Sequence, residues 1–538
     1  MNKEITISKL ICKCSQFFSL TIYMNRSIIS LTMIYPEEIQ MKKACRILKY
    51  ALLCGILFMS LLAILLAKWY TDRYGDTGFM SIISTFMTPW KGCSNNIAIS
   101  WKLNALLPAG IATVILFPIF FYRGKKFSLR IARKQIFPLK RTTSNAIFAV
   151  LCVVLVFSAA FMVRFPAFVV DYYFDDTTLY EEHYAAPETT AISFPEEKRN
   201  LIYIYLESME TSFMSKELGG ARDANLIPEL YELARDNTNF SHNDGVGGWP
   251  RITHTTWTSA ALVSQTSGLP LTMDLSSIEI GKFEGYLPGA TNLQDILHDA
   301  GYYQTLMVGS DATFGAREEY FDLHNTDQIY DLEDARADGT LPEDYMVWWG
   351  FEDSKLFDYA KRELERLSTL EHPFAFTMLT ADTHHIDGYY GDCCGNEHEE
   401  QYENVISCSS RQVLAFVEWI QQQEFYDNTT IIICGDHPSM DNQYFVRNVD
   451  EDYERHVYNC IINAPVEAVN SKNRSFTPMD MFPTTLAAIG CTIEGDRLGI
   501  GTNLFSERQT LAEELGLDYL NDQISKHSDF YIENFIEK

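Results

Sequence analysis

Hydrophobic residues are distributed differently before and after residue 164. Before it, three continuous apolar runs cover residues 50–67, 105–121 and 146–163, and none of them contains an acidic residue. Each run approaches the roughly 20 apolar residues that cross a bilayer as a helix. A buried core helix would explain one such run, but three in succession predict a membrane anchor, residues 1–164, with three transmembrane helices.

Basic residues predict how this anchor is oriented. The segment 123–144 carries eight Lys or Arg and no Asp or Glu. Because Lys and Arg accumulate in cytoplasmic loops, this segment is expected inside the cell and everything after residue 164 outside. We therefore expect a multi-pass protein of the cell membrane with an extracytoplasmic domain. Residues 1–40 fit less well, since their apolar stretch contains Asn25 and Arg26, and Met41 is the expected start.

After residue 164 the apolar runs become short and rich in β-branched and aromatic residues. They cover 200–207, 302–311, 374–385 and 428–437, and helical patterns such as 353–370 and 409–424 separate them. Strands that alternate with helices predict an α/β domain with a mostly parallel sheet covered on both faces. This domain is expected over residues 198–538, after an acidic, Pro-containing linker at 165–197.

Polar residues follow three of these predicted strands: Glu207; Asp382, His384 and His385; Asp436 and His437. Singly, each could be a helix cap or an ordinary surface residue. Ligands bind outside the carboxyl ends of the strands in open α/β sheets, so these side chains are expected to converge. Carboxylates with imidazole form a donor set that suits a divalent cation.

The charge of residues 165–538 excludes one class of partner. This part contains 66 Asp and Glu but only 22 Lys and Arg, which disfavours nucleic-acid binding. Its six cysteines fall into two groups. Three lie in apolar segments and are expected to be buried thiols, namely Cys434, Cys460 and Cys491. The other three lie in a polar loop where an exported protein can form a disulfide, namely Cys393, Cys394 and Cys408.

The stretch 251–268, RITHTTWTSAALVSQTSG, is rich in hydroxyl groups just before an apolar helical run. Thr and Ser favour helix N-caps, so a Thr here is expected to cap a helix. A helix N-terminus also offers N–H donors and the positive end of the dipole to an anion such as phosphate. One of these threonines, next to a cation, could act as a nucleophile on a phosphoryl group.

At the motifs YLESME, TTWTSAALVSQTSGLPL, LTADTHHIDGYY and CGDHPSM, the chain resembles the membrane-anchored phosphoglycerol transferases. These include the lipoteichoic acid synthases and the enzymes that decorate osmoregulated periplasmic glucans. The resemblance covers about 198–505 and is closest to the glucan-modifying branch, which shares the pattern W-T-x-A-x-x-x-S-Q-x-x-G-x-P-L. It implies an alkaline phosphatase or sulfatase-like α/β domain behind a transmembrane helical anchor.

The resemblance also implies an activity. This is the metal-dependent transfer of glycerol phosphate from phosphatidylglycerol to a hydroxyl of an extracytoplasmic glycan or glycerol-phosphate polymer, through a phospho-threonine intermediate. The implied metal is Mn²⁺ or Mg²⁺, with Zn²⁺ also compatible. Among the threonines, counting back from Gly-Leu-Pro assigns the nucleophile to Thr255, with Thr256 as the fallback and Thr253 and Thr258 expected to matter less.

Site roles carry over residue by residue. The implied metal ligands are Glu207, Thr255, Asp436 and His437. His385 would protonate the leaving group, His384 would contact substrate, and Arg317 would hold phosphate as a bidentate fork. Gly315 stands where the synthase branch often has a Trp, so contacts inferred from that Trp do not carry over. Cys408 is expected to pair with Cys393 or Cys394.

Three other functions fit parts of the sequence. A phosphoethanolamine transferase would share the site chemistry, although the sequence after Glu207 differs from its usual form. A sulfuric or phosphoric ester hydrolase would share the fold, but the C/S-x-P-x-R motif of sulfatases is absent from the sequence. A non-catalytic sensor would be expected to have lost a ligand or the hydroxyl, and the sequence retains all of them.

Overall fold

A computed structural model describes residues 20–24, 27–31, 36–75, 77–88, 95–122, 129–131, 134–137, 140–273 and 285–537. The chain divides into two compact units: Met1–Leu62 with Ala109–Leu155, and Ala63–Pro108 with Val156–Lys538. Much of the stretch 1–40 and parts of the basic segment 123–144 lie outside the described residues. The expected start at Met41 and the orientation therefore remain predictions. The division into an anchor, a linker at 165–197 and an outer domain also remains a prediction.

The first part of the chain is mainly helical. Its elements are β1 (Leu20–Met24), β2 (Ser27–Leu31), α1 (Pro36–Tyr74), α2 (Phe79–Met87), α3 (Asn95–Trp101), a π-helix (Lys102–Leu106), α4 (Leu107–Phe121), β3 (Leu129–Ile131), β4 (Lys134–Phe137) and α5 (Arg141–Met162). Within the described residues, three helical stretches are long and apolar enough to cross a membrane: Met41–Tyr74, Ile99–Phe121 and Arg141–Met162, with mean hydropathies of 2.5, 2.0 and 2.5. They coincide with the three predicted apolar runs.

Aromatic side chains pack these helices together within the smaller unit. The ring of Phe121 meets Tyr50 with centroids 5.7 Å apart and Phe148 with centroids 5.1 Å apart, both edge to face. Edge-to-face pairs of this kind are favourable beyond the apolar area that they bury.

The described part of the larger unit is built on a seven-stranded sheet. Its strands are β6 (Asn200–Leu206), β7 (Gly248–Pro250), β8 (Tyr303–Val308), β9 (Gln328–Tyr330), β10 (Phe374–Leu379), β11 (Thr429–Gly435) and β12 (His456–Ile462), in the spatial order β7-β12-β11-β6-β10-β8-β9. The pairs from β11 to β9 are all parallel, whereas β12 pairs antiparallel with β11 and β7. The four predicted strands and the mostly parallel sheet are thus confirmed.

Helices cover both faces of this sheet. Those after residue 156 are α6 (Phe165–Tyr173), α7 (Leu179–His183), α8 (Pro228–Asp236), α9 (Thr258–Ser267), α10 (Leu293–Asp299), α11 (Arg317–Leu323), α12 (Leu332–Ala337), α13 (Asp353–Leu367), α14 (Gln401–Gln421), α15 (Asn442–Asn448), α16 (Met481–Ala488), α17 (Leu511–Leu515), α18 (Leu517–Ser525) and α19 (Asp529–Tyr531). Short antiparallel pairs join β5 (Ile192–Ser193) to β13 (Thr492–Ile493) and β14 (Arg497–Leu498) to β15 (Gly501–Thr502).

The central strand shows why both faces need cover. Successive side chains of a strand point to opposite faces. Tyr203 and Tyr205 of β6 belong to one buried cluster, and Ile202, Ile204 and Leu206 belong to the other. A strand that is apolar on both sides reads as a continuous apolar run, as the sequence shows.

The cysteines follow the expectation with one correction. Cys434, Cys460 and Cys491 are buried thiols, as predicted. Cys393 is bonded to Cys408, which leaves Cys394 as a thiol. Cys408 does not lie in a loop, however. It is buried on α14, which begins at Gln401, eight residues before the predicted helix at 409. The prediction missed the first turns of this helix because their buried face includes polar residues such as Asn404 and Ser407.

Candidate active site

Two neighbouring strands deliver the predicted ligands to one point. Glu207 follows β6, and Asp436 and His437 follow β11, which pairs with β6 in parallel so that Leu206 lies opposite Gly435. Each of the three residues offers one ligand atom, and these atoms all lie within 4.8 Å of one another. All three side chains are buried.

Backbone and side-chain donors fix the carboxylates of this cluster. The Ser208 N–H donates to Asp436 Oδ1 at 2.8 Å, and the Ser208 hydroxyl donates to Glu207 Oε1 at 2.7 Å. The His437 N–H also donates to Asp436 Oδ1, at 2.8 Å. Ser208 has a positive φ of 59°, a conformation that non-glycine residues seldom adopt and that is common at functional sites.

Lone pairs remain available for a cation. Asp436 Oδ2 is buried and has no hydrogen-bond partner among the described residues. His437 Nδ1 lies 3.0 Å from the Pro438 carbonyl, so Nδ1 carries the hydrogen and Nε2 keeps its lone pair. That Nε2 lies 3.3 Å from Asp436 Oδ2. Two carboxylates and a neutral imidazole with these free lone pairs fit a divalent cation.

The pKa values of the three groups reflect their crowding. Burial, and then the charge of Glu207, raise the pKa of Asp436 to about 7. Burial also acts to raise the pKa of Glu207, but its interactions with His384 and His437 outweigh burial, and the pKa lies below its usual value. Burial opposes a charge on His437, yet Asp436 and Glu207 raise its pKa. A buried pair of carboxylates of this kind calls for a positive partner.

Thr258 is the threonine that reaches this cluster. It is the first residue of α9, and its hydroxyl donates to Glu207 Oε2 at 3.3 Å and lies 3.4 Å from His437 Nε2. Its side chain is half-buried, so another molecule can reach it. The expected Thr N-cap is not found: Trp257 occupies the N-cap position and makes no side-chain cap. The Thr258 hydroxyl points to the carboxylate instead.

Thr255 and Thr256 make other contacts. The buried Thr255 hydroxyl donates to the Ile252 carbonyl at 3.0 Å, and the buried Thr256 hydroxyl donates to the Thr77 carbonyl at 3.3 Å. The structure therefore brings together Glu207, Asp436, His437 and Thr258, and not the predicted Thr255. Thr258 is the Thr of the W-T-x-A pattern. This pattern is the sequence signal that could have identified it.

Gln265 of the S-Q motif joins α9 to the sheet. The Tyr203 hydroxyl donates to Gln265 Oε1 at 2.8 Å, and Gln265 Nε2 donates to the carbonyls of Gly435 and Asp436 at 3.4 and 3.3 Å. These contacts position the helix that starts at Thr258 against the strand end that supplies Asp436.

Arg317 lies near Glu207 and is held by hydrogen bonds to the protein. Arg317 is buried, and it donates from Nε to the Phe314 carbonyl and from Nη2 to Ser310 Oγ and the Asp311 carbonyl, at 3.0, 3.0 and 2.7 Å. With Nε and Nη2 engaged in this way, a bidentate fork would have to give up protein contacts, and Nη1 is the arm left for substrate. Burial lowers the Arg317 pKa, while the charge of Glu207 acts to raise it.

His384 and His385 lie close enough to the cluster to interact with Glu207 and His437 electrostatically. His384 Nδ1 lies 2.9 Å from the His385 carbonyl, and the His384 ring lies 4.4 Å from the Trp349 ring. The His385 ring meets Tyr74 edge to face at 5.1 Å, and its buried Nδ1 has no described partner. Burial lowers the pKa of both rings, so their neutral forms are favoured.

Asp382 is not part of the cluster. It is buried, and its N–H and that of Ala381 donate to the Asp353 carboxylate at 3.0 and 2.7 Å. Burial, and then the charge of Asp353, raise the Asp382 pKa to about 9, so this carboxyl is neutral at neutral pH. Its position in the sequence after a strand suggested a ligand, but its charge environment disfavours that role.

The sequence profile of the sulfatase family matches residues 199–491, which span the seven-stranded sheet and all the predicted site residues. The chain belongs to the sulfatase family. Its fold is accordingly the sulfatase or alkaline phosphatase-like fold, with a mixed central sheet, as the resemblance implied.

Individual proteins are also similar. Phosphoglycerol transferase I of Escherichia coli is 29% identical over 266 residues, which are 48% of this chain and 33% of that protein. The match thus spans about a third of the relative's length. A Vibrio parahaemolyticus protein of the alkaline phosphatase superfamily has a TM-score of 0.47 and 22% identity, covering 64% of this chain and 77% of that one. The lipoteichoic acid synthase LtaP from Listeria monocytogenes has a TM-score of 0.47 and 16% identity, covering 59% and 79%.

Proposed function

We propose that this protein transfers glycerol phosphate from phosphatidylglycerol to a hydroxyl of a glycan or glycerol-phosphate polymer outside the cell membrane. The observation that carries the proposal is the position of Thr258 at a helix start, half-buried and in contact with Glu207 and His437. We assign the nucleophile to Thr258 in place of Thr255. The name of the relatives, phosphoglycerol transferase I, supports the substrate class.

The metal site is proposed from the three buried ligands. Glu207, Asp436 and His437 would hold a divalent cation, Mn²⁺ or Mg²⁺ first and Zn²⁺ as a compatible alternative. When bound, the cation would lower the pKa of a neighbouring hydroxyl and neutralise charge on phosphoryl oxygens. The N-terminus of α9 adds backbone N–H groups and the positive dipole end for the same oxygens.

The proposed reaction consists of two displacements at phosphorus. In the first, Thr258 Oγ1 forms a bond to phosphorus, and the bond from phosphorus to the diacylglycerol oxygen breaks. The hydroxyl proton of Thr258 ends on the released diacylglycerol. In the second, the acceptor hydroxyl attacks phosphorus, and Thr258 leaves with the proton of that hydroxyl. Covalent catalysis of this kind separates a lipid donor from a polar acceptor.

His384 and His385 are the groups that can carry these protons. Burial favours their neutral forms, so each ring can accept a proton first and return it to the leaving oxygen afterwards. With Nδ1 of His384 donating to the His385 carbonyl, Nε2 is the accepting atom of that ring. Nη1 of Arg317 would hold a phosphoryl oxygen, since its other arms bind the protein.

The test uses the purified full-length protein with phosphatidylglycerol that is labelled in its head-group glycerol. Wild type should release diacylglycerol and carry the label on the peptide that contains Thr258. Thr258→Ala should do neither, while Thr255→Ala and Thr256→Ala should keep most turnover. An adduct on Thr258→Ala would exclude this nucleophile. Labelling from phosphatidylethanolamine alone would identify a phosphoethanolamine transferase instead.

A further inference from the structure

The segment that follows the first apolar run packs beside the candidate site. Within the larger unit, the ring of Tyr74 at the end of α1 meets His385 at 5.1 Å. The Asn442 side chain donates to the Thr71 carbonyl at 3.2 Å, and the Thr256 hydroxyl donates to the Thr77 carbonyl at 3.3 Å. Thr71, Tyr74 and Thr77 therefore contact segments that lie close in sequence to Thr258, His385 and Asp436.

Arg73 lies inside this segment with an unsatisfied donor. Its Nε is buried and has no hydrogen-bond partner among the described residues, and no ion pair joins it to a described carboxylate. Lys68 on the same helix differs, because it pairs with Asp72 at 2.7 Å and is exposed. The Arg73 guanidinium lies 5.7 Å from the centroid of the Tyr74 ring, and the same ring meets His385.

The positive charge of Arg73 affects the pKa of His385 in the site. After burial and the charge of His384, the Arg73 charge also lowers the pKa of His385. The Nδ1 atom of His385 and the Nε1 atom of Trp257, next to Thr258, are likewise buried without a described partner. A buried polar atom without a partner is costly, and the unpaired N–H groups of Arg73 and Trp257 suit an anion with several oxygens.

We propose that Arg73 binds the phosphodiester of an anionic phospholipid beside Thr258. The inference rests on the proposed function for the identity of this lipid as the donor. Arg73 lies six residues after the apolar run 50–67, which places it about 9 Å beyond the run on a continuous helix. The polar head-group layer extends about 5–8 Å beyond the hydrocarbon core on each side, so Arg73 lies near the outer edge of this layer, where a long guanidinium side chain can still reach the head groups. Arg matches phosphate geometry with two parallel N–H groups.

A phosphodiester could also belong to a glycerol-phosphate acceptor, and kinetics separate the two sources. Full-length Arg73→Ala should raise the KM for phosphatidylglycerol about tenfold or more, with the KM for the acceptor within about twofold of wild type. Arg73→Lys should recover part of the affinity, because it keeps the charge without the fork. Lys68→Ala is the matched control on the same helix and should resemble wild type. A rise in the acceptor KM alone, or a loss of kcat with both KM values unchanged, would overturn the proposal.

A binding experiment keeps this inference separate from the transfer reaction. In the Thr258→Ala background, a fluorescent short-chain phosphatidylglycerol is titrated against protein with and without Arg73→Ala. We expect about tenfold weaker binding without Arg73, and no difference for short-chain diacylglycerol, which lacks the phosphodiester. Equal binding of phosphatidylglycerol by both proteins would refute the role of Arg73. If binding depends on Arg73 but wild type transfers no glycerol phosphate, the proposed function fails and the lipid site stands.

Discussion

The hydroxyl of Thr258 lies 3.3 Å from a carboxylate oxygen of Glu207, although 51 residues separate them in the chain. Thr258 is the first residue of α9, and Glu207 is the first residue after β6. The helix start is thus aimed at the end of the central strand. Thr255 precedes the helix by three residues and turns its hydroxyl back to Ile252, so it cannot replace Thr258 without a rearrangement of the turn.

The first prediction concerns the metal ligand Asp436. Asp436→Asn should lower bound metal at least tenfold and remove transfer activity. Two backbone N–H groups donate to Oδ1 and keep the amide oxygen there, so an NH₂ group without a free lone pair takes the place of Oδ2. Metal content after dialysis, measured by elemental analysis, checks this. Asp382→Asn is the matched control, since that buried carboxyl is already neutral, and it should keep its metal. Equal metal loss in both variants would contradict the ligand assignment.

The sequence predicted the strands better than the contacts between them. The runs that form β6, β8, β10 and β11 are apolar on both faces, so the sequence shows where each strand ends and which polar residues follow it. β7 was missed because its three residues, Gly248–Pro250, contain the two residue types least typical of strands. β12 was not singled out either, because His456 and Asn459 interrupt its apolar run, although all seven of its residues are buried.

Within the site, the sequence could locate the acidic and imidazole ligands but not choose among neighbouring threonines. That choice depends on where α9 starts, and helix boundaries read from sequence are uncertain by a few residues. The contact of Tyr74 with His385 depends on tertiary packing alone. No local pattern connects residue 73 with residues 384 and 385.

The second prediction concerns Gly315, which has a φ of 69°. A Cβ there would lie 2.8 Å from Ser259 Oγ, which donates to the Gly315 carbonyl at 2.7 Å. Gly315→Ala should therefore lower the free energy of unfolding by about 1–2 kcal/mol and raise KM by displacing Arg317. Ser259→Ala in the same chain should relieve the clash but not the backbone strain. Denaturant midpoints of wild type, the two single variants and the double variant check this coupling. If the two changes in the free energy of unfolding simply add, the contact between the two residues is contradicted.

The third prediction concerns the disulfide between Cys393 and Cys408. The bond closes a loop of 15 residues, for which about 3 kcal/mol of stabilisation is expected. Cys393→Ser should lose about this amount, as read from denaturant midpoints without reductant. Cys394→Ser changes the adjacent thiol and should behave like wild type. If Cys394→Ser is equally destabilised, Cys408 pairs with both neighbours in solution.

The fourth prediction concerns the stacked rings of His242 and His456, whose centroids lie 3.5 Å apart at an interplanar angle of 6°. Burial, and then the charge of His242, lower the pKa of His456 to about 3, and burial also lowers the pKa of His242. A depressed histidine pKa means that the fold favours the neutral ring, so its stability is present above pH 6.5 and is lost as the pH falls toward 3. Between pH 7.5 and 5.0, His456 alone should reduce the free energy of unfolding by about 2 kcal/mol. Denaturant midpoints at both pH values should therefore differ less in His456→Gln than in wild type, whereas the exposed His372→Gln should keep the wild-type difference. An unchanged pH dependence in His456→Gln would show that other groups cause it.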